Sequence, residues 1–200
     1  MQHLKVDLHL KTRKPKEDIS EAKDQKPYSS QLLDLCKRGD GHAQKALYDR
    51  LAPKMFPICI RYMGDRTVAE DVLQDGFVTL FSRLDSYSGA GSFEGWARKI
   101  FVNTALMSLR KSDVLRESGD IEQAWSIKSE ATTAIQDIGY KELLTMIGEL
   151  PAGFRTVFNM YVMEGYSHKE IAEALGITEN TSRSQLLRAR VALQEKILSR

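Results

Sequence analysis

The sequence predicts an all-α protein: two helical domains joined by a flexible acidic linker, the second a helix-turn-helix domain. Three observations carry this. Apolar residues recur at helical spacing in two blocks, 28–111 and 140–200, and no segment shows the strict alternation of a β-strand. Between the blocks, residues 112–139 hold 2 basic against 6 acidic side chains with scattered Ser, Thr and Gly, the pattern of a linker. Finally, Ser167-His168-Lys169-Glu170 has the S-x-x-E form of a capping box; Ile171, Ala172 and Leu175 follow as a buried face, Gly176 supplies a turn and Thr178 caps a second helix towards Leu198.

Element by element, residues 1–27 are polar and lysine-rich and predict a disordered extension. A short helix over QLLDLCKRG stops at Gly39. A second runs from about His42 to Met63, and Pro53 and Pro57 predict a break or kink within it, because an interior proline removes a hydrogen bond and clashes with the preceding turn, at about 3 kcal/mol. A third, from about Thr67 to Leu84, lines Val68, Val72, Leu73, Phe77 and Leu80 along one stripe and leaves an acidic face opposite. After the loop SYSGAG, Ser92 can cap a fourth helix with Phe93, Trp96, Ile100 and Phe101 at helical spacing, ending in Arg110-Lys111, cations that suit a carboxyl end. The second block opens with a helix over about Tyr140 to Glu149, stopped before Pro151, and its stripe continues through Phe154, Val157, Phe158 and Tyr161.

Composition narrows the function classes. The 200 residues are 42% hydrophobic, enough for a core, and no apolar run approaches the roughly eighteen residues of a membrane span. The amino terminus lacks the continuous apolar segment of a secretory signal. Cys36 and Cys59 stand far apart without a C-x-x-C partner, which fits a reducing cytoplasm rather than a disulfide framework. His3, His9, His42 and His168 share no ligand spacing, so neither a metal nor a cofactor is expected.

Three constellations could carry function. On the last helix Ser182, Leu186 and Ala189 follow the inward spacing and leave Thr181, Arg183, Ser184, Leu187 and Arg188 near the outer amino-terminal face, where arginine can bond guanine bidentately and serine can reach base edges or phosphates. Lys169, Arg190 and Lys196 fit phosphate contacts, while the bland alternative is a basic solvated face. On the third helix, Glu70, Asp71, Gln74 and Asp75 occupy adjacent turns; with no histidine or nucleophile pattern nearby, a basic partner surface fits them better than acid-base chemistry, and no enzymatic role is expected. The fourth helix interleaves Trp96 and Phe101 with Arg98, Lys99 and Asn103, a mixture that suits stacking on single-stranded nucleic acid and equally suits a core with a polar back. Tyr87, in the preceding loop, is a candidate for contact with an exposed base.

Three blocks in this order resemble the extracytoplasmic-function (ECF) type of bacterial RNA polymerase sigma factors: Ala69-Glu70-Asp71-Val72-Leu73-Gln74-Asp75-Gly76-Phe77, then SFEGWARKIFVNTALMSLRK, then ELPAGFRTVFNMYVMEGYSHKEIAEALGITENTSRSQLLRAR. The resemblance implies an initiation factor that binds bacterial core RNA polymerase and promoter DNA and is not an enzyme. By it, Asp71, Gln74 and Asp75 look like the surface that grips the clamp helices of the largest polymerase subunits. Tyr87, Trp96 and Asn103 look like parts of the surface that takes the melted −10 element with a flipped base. Lys169, Thr181, Arg183, Ser184, Leu187 and Arg188 match the face that meets the duplex −35 element. The linker would thread through polymerase channels, and anti-sigma proteins are common partners in the family. Gly76 in the core-binding helix, Ser182 where family members commonly have valine, and the two prolines depart from the pattern. The rival reading is a one-component helix-turn-helix regulator, which would bind duplex operator without polymerase; a helical adaptor with no DNA contact is a third.

Overall fold

A computed structural model describes residues 28–111 and 139–199, apart from the side chains of Tyr140 and Lys141. The expected amino-terminal extension (1–27) and nearly all of the expected linker (112–139) lie outside the described residues. Eight α-helices are present among them: α1 Ser30–Lys37, α2 Gly41–Met63, α3 Arg66–Ser82, α4 Phe93–Lys111, α5 Tyr140–Gly148, α6 Ala152–Phe158, α7 His168–Leu175 and α8 Glu179–Leu198. A single 3-10 turn, Leu84–Ser86, follows α3, and a π-helical turn, Asn159–Met163, continues α6. The described residues contain no β-strand.

Short polar side chains set the starts. Asp40, Asp65 and Ser92 each accept a hydrogen bond from the amide three residues on, at 2.8, 2.9 and 3.0 Å, and so open α2, α3 and α4. Gly64, at φ +73°, ends α2 in the left-handed region that a side chain would disfavour.

The expected break in α2 is absent: the helix runs unbroken through Pro53 and Pro57. Leu47, Leu51, Met55, Ile58 and Tyr62 are all buried along α2, whereas Pro53 is exposed and Pro57 half-buried. Burial of that stripe outweighs two missing hydrogen bonds, the usual way in which tertiary packing overrides propensity. The α3 stripe is also narrower than expected, for Val68 is 43% exposed while Val72, Leu73, Phe77 and Leu80 are buried.

Gly76 has a packing reason. It is buried where α3 meets α4, and a Cβ built there would run into the Phe101 ring. The helix does not loosen at that point. Phe101 in turn meets Phe77 edge-on at 5.1 Å between centroids.

The first unit, α1–α4, and the second, α5–α8, meet along a buried seam. The main apolar core extends from the first unit into Val157, Met160, Ile171 and Leu186, and a smaller core of Met146, Ile147, Phe154, Ala189 and Leu193 holds α5, α6 and α8 together. Arg155 donates from Nε to the Tyr62 carbonyl and from Nη2 to the Met63 carbonyl, both at 2.9 Å; Nη1 reaches the Gly148 and Leu150 carbonyls of its own unit at 2.7 and 3.0 Å. Asn159 Nδ2 donates to the Arg61 carbonyl at 2.7 Å. The last carbonyls of a helix have no partner within it. At the end of α2 they receive donors from the second unit, so the tethered domains of the sequence reading are here also packed together.

Candidate nucleic-acid interface

The helix-turn-helix takes the form that its capping box foretells. Ser167 Oγ accepts from the Glu170 amide at 3.3 Å, and the Glu170 carboxylate accepts from the Ser167 amide at 2.8 Å and its hydroxyl at 2.7 Å. Those bonds hold the Glu170 carboxyl below its ordinary value. Gly176, at φ +69°, makes the turn, and Thr178 Oγ1 accepts from the Thr181 amide at 3.0 Å to start α8.

On α8, Arg183 and Leu187 are exposed, Thr181, Ser184 and Arg188 are half-buried, and Lys169 is exposed on α7. Arg183 pairs with Glu179 one turn back at 2.8 Å, and Ser184 Oγ donates to the Thr181 carbonyl at 3.0 Å. Exposed pairs of this kind are weak and release their cation readily to a stronger anion. Contact between the units leaves Arg183 and Leu187 open to solvent.

Ser182 points inward, fully buried, and its hydroxyl lies 2.9 Å from His168 Nδ1. The His168 ring stacks on Tyr161 at 4.5 Å between centroids. Burial, and then the charge of Arg183, lower the proton affinity of His168.

The aromatic side chains beside α4 are partly committed to packing. Tyr87, Phe93 and Trp96 form a mutually touching trio with centroid separations of 5.2, 5.4 and 5.5 Å, and Tyr28 adds to it against Phe93 at 5.1 Å. Tyr87 does not hang free in a loop: its hydroxyl donates to the Gly91 carbonyl at 2.9 Å, closing the glycine-bearing loop on itself. Tyr87 and Trp96 stay half-buried, so each keeps an accessible portion. Asn103 is exposed two turns further along α4. The same helix therefore supplies both the core, through Ala97, Ile100 and Phe101, and a polar-aromatic margin.

Asp71, Gln74 and Asp75 are exposed on α3. Beside them, Tyr48, Phe56, Glu70, Leu73 and Gln74 line a shallow groove of about 320 Å³. Cys36 and Cys59 are both buried, and burial pushes the Cys59 thiol up to about 12. Among the described residues no helix is long and apolar enough to cross a membrane.

Arg61, Arg155, Asn159 and Glu164, the polar residues of the seam, were not legible as a set. Their only signal was position: Arg155 and Asn159 interrupt an apolar helical stripe one turn apart, and Arg61 sits in the apolar run Ile58 to Met63.

This architecture defines a two-unit, all-helical protein whose second unit is a helix-turn-helix domain. The family description "Sigma-70 region 2" matches residues 47–114, and "Sigma-70, region 4" matches residues 140–193. The chain is 27% identical over 178 residues to the RNA polymerase sigma-H factor of Pseudomonas aeruginosa, covering 84% of this chain and 92% of that protein. It is 28% identical over 177 residues to the ECF RNA polymerase sigma-E factor of Escherichia coli K12, covering 83% and 92%. The backbone is similar to that of the sigma factor RpoE in complex with the anti-sigma factor NepR from Bartonella quintana, with a TM-score of 0.46, 22% identity and coverage of 76% of this chain and 94% of that one. It is similar also to CnrH in complex with the cytosolic domain of CnrY, with a TM-score of 0.44, 22% identity and coverage of 84% and 96%. The chain belongs to the sigma-70 family as an ECF sigma factor, a DNA-binding factor of transcription initiation.

Proposed function

We propose that this sigma factor binds bacterial core RNA polymerase through Asp71, Gln74 and Asp75 and then directs initiation by reading two promoter elements. Residues 28–111 serve polymerase and the −10 element, residues 140–200 serve the −35 element, and residues 112–139 link them. On α8, Arg183, Ser184, Leu187 and Arg188, with Thr181 and Lys169 at the flank, meet the −35 major groove. Tyr87, Trp96 and Asn103 take the melted −10 strand. Extruding a base costs a few kcal/mol of stacking, which aromatic and polymerase contacts offset.

One observation supports this reading above the others: α8 presents an exposed arginine and apolar residue at its amino-terminal end while its inward face is fixed by Leu186, Ala189 and the Ser182 contact to His168. A recognition helix needs that combination of a held back and an open front. The exposed acidic patch on α3 supports a basic protein partner through charge complementarity.

The test is reconstituted transcription with bacterial core polymerase on promoters selected from a random pool by the assembled holoenzyme. Initiation that depends on this chain, with no tight duplex binding by the free chain, is expected. Operator binding as a dimer without polymerase would establish the one-component regulator instead.

A further inference from the structure

The shallow groove between α2 and α3 pairs an apolar floor with an acidic border. Tyr48 and Phe56 of α2 and Leu73 of α3 line it together with Glu70 and Gln74. Tyr48 remains 39% exposed although its ring packs on Phe77 at 4.4 Å between centroids, so a segment laid over it would remove further apolar surface from water. Arg66 lies over the Phe56 ring at 5.2 Å and pairs with Glu70 at 3.0 Å, which leaves that border carboxylate already met. Asp71 and Asp75 are different. Both are exposed on α3, and neither makes an ion pair among the described residues.

The sequence ahead of Tyr28 carries the matching pattern. Leu4, Val6, Leu8 and Leu10 alternate with polar residues, and Lys11, Arg13, Lys14 and Lys16 follow within six positions. Residues 1–16 hold 5 basic side chains against 1 acidic, whereas residues 17–27 hold 2 against 4. Residues 112–139, with 2 basic against 6 acidic, carry the wrong charge for an acidic border. Tyr28 fixes where the segment joins the first unit: its ring meets Phe93 at 5.1 Å between centroids, and Lys54 Nζ lies 5.5 Å from its centre. Lys54 is two residues from Phe56 on the same helix. A helix is about 10–12 Å across, and the 23 residues of α2 are about 35 Å long. Residues 17–27 can span about 36–40 Å when extended, so residues 1–16 reach any point along α2.

We propose that residues 4–16 dock on this groove, the apolar run 4–10 covering Tyr48 and Phe56 and the cations of 11–16 meeting Asp71 and Asp75, and that they thereby compete with core polymerase for α3. The competition rests on the polymerase-binding reading above; the docking does not. A tether of this length gives an effective concentration on the order of millimolar, so a contact with a dissociation constant of about 0.2 mM fills the groove in most chains. A nucleic-acid strand would engage the cations and leave the apolar run without a counterpart, whereas the groove engages both. Core polymerase must displace the segment, and its apparent affinity falls with the fraction of chains left open.

The first experiment uses the full chain with a photoreactive benzophenone side chain at position 8. Its adducts should fall on α2 and α3 between Tyr48 and Gln74. Asp71→Lys with Asp75→Lys should reduce them at least about threefold, and adding Lys11→Glu, Arg13→Glu, Lys14→Glu and Lys16→Glu should restore them. Adducts scattered over the surface, or indifferent to both charge changes, overturn the docking. The second experiment compares the parent with a chain lacking residues 2–16 for binding to bacterial core polymerase. Removal should tighten binding roughly five- to tenfold, the factor expected when about 80–90% of parent chains are closed. Equal affinities overturn the competition, and if the truncated holoenzyme also binds promoter more weakly, the segment serves DNA instead. Failure of both chains to bind core defeats the polymerase reading and the competition with it, while the adducts still decide the docking.

Discussion

The Ser182 hydroxyl lies 2.9 Å from Nδ1 of His168, and this polar contact joins the first turn of α8 to the first turn of α7. Its neighbours, Arg183 and Ser184, belong to the proposed reading face, so the contact fixes the angle at which that face is presented. Ser182→Ala should cost about 0.5–1.5 kcal/mol, the net worth of one hydrogen bond, and should loosen discrimination among −35 sequences. Ser182→Val adds a methyl to a fully buried position and should shift selectivity rather than merely blur it. Thermal unfolding and promoter competition check the two halves of this expectation.

Gly76 presents a contest between propensity and packing. Alanine is favoured over glycine within a helix by about 1 kcal/mol. Its methyl would strike Phe101, and overpacking of this kind costs about 1–3 kcal/mol. Gly76→Ala should therefore destabilise the chain, by up to about 2 kcal/mol net, and Phe101→Leu in the same chain should recover part of the loss. Denaturant titration of the single and double variants measures it; a more stable Gly76→Ala would contradict the packing account.

Arg155 should govern closure. It serves four carbonyls, two on each side of the seam, and burial lowers its proton affinity. Arg155→Met leaves the Tyr62 and Met63 carbonyls without their donors, each worth about 1–3 kcal/mol if they stayed buried. Separating the units lets water reach them at far lower cost. The expected outcome is a longer distance between fluorophores on the two units with helicity largely retained.

His168 should give the second unit a pH dependence. Burial and the Arg183 charge oppose its protonation, with Arg190 acting the same way and Glu179 against it. A histidine whose folded-state value lies below the ordinary 6.5 contributes stability that is complete above 6.5 and declines as pH falls from there towards the folded-state value. The melting temperature should drop on acidification through that window, and His168→Gln should remove the drop. Melting curves of the two chains across this range supply the check.

The local grammar of this protein was legible in its sequence. Caps at Ser92, Ser167 and Thr178, the glycine stop at Gly39 and the turn at Gly176 act over three or four residues, so residue type and spacing suffice to place them. The α8 faces were legible for the same reason: helical periodicity alone sends Ser182, Leu186 and Ala189 inward and Arg183 and Leu187 outward. Only the tertiary structure decided that α2 survives Pro53 and Pro57, because the burial that offsets two lost hydrogen bonds comes from α3 and α4. Likewise it decided that Gly76 makes room for Phe101, that Tyr87 is tied to Gly91, and that Arg61 and Glu164 meet across 103 residues of chain. Periodicity reports which face of a helix is buried; it carries no record of what lies against that face, and a buried charge is intelligible only once its partner is known.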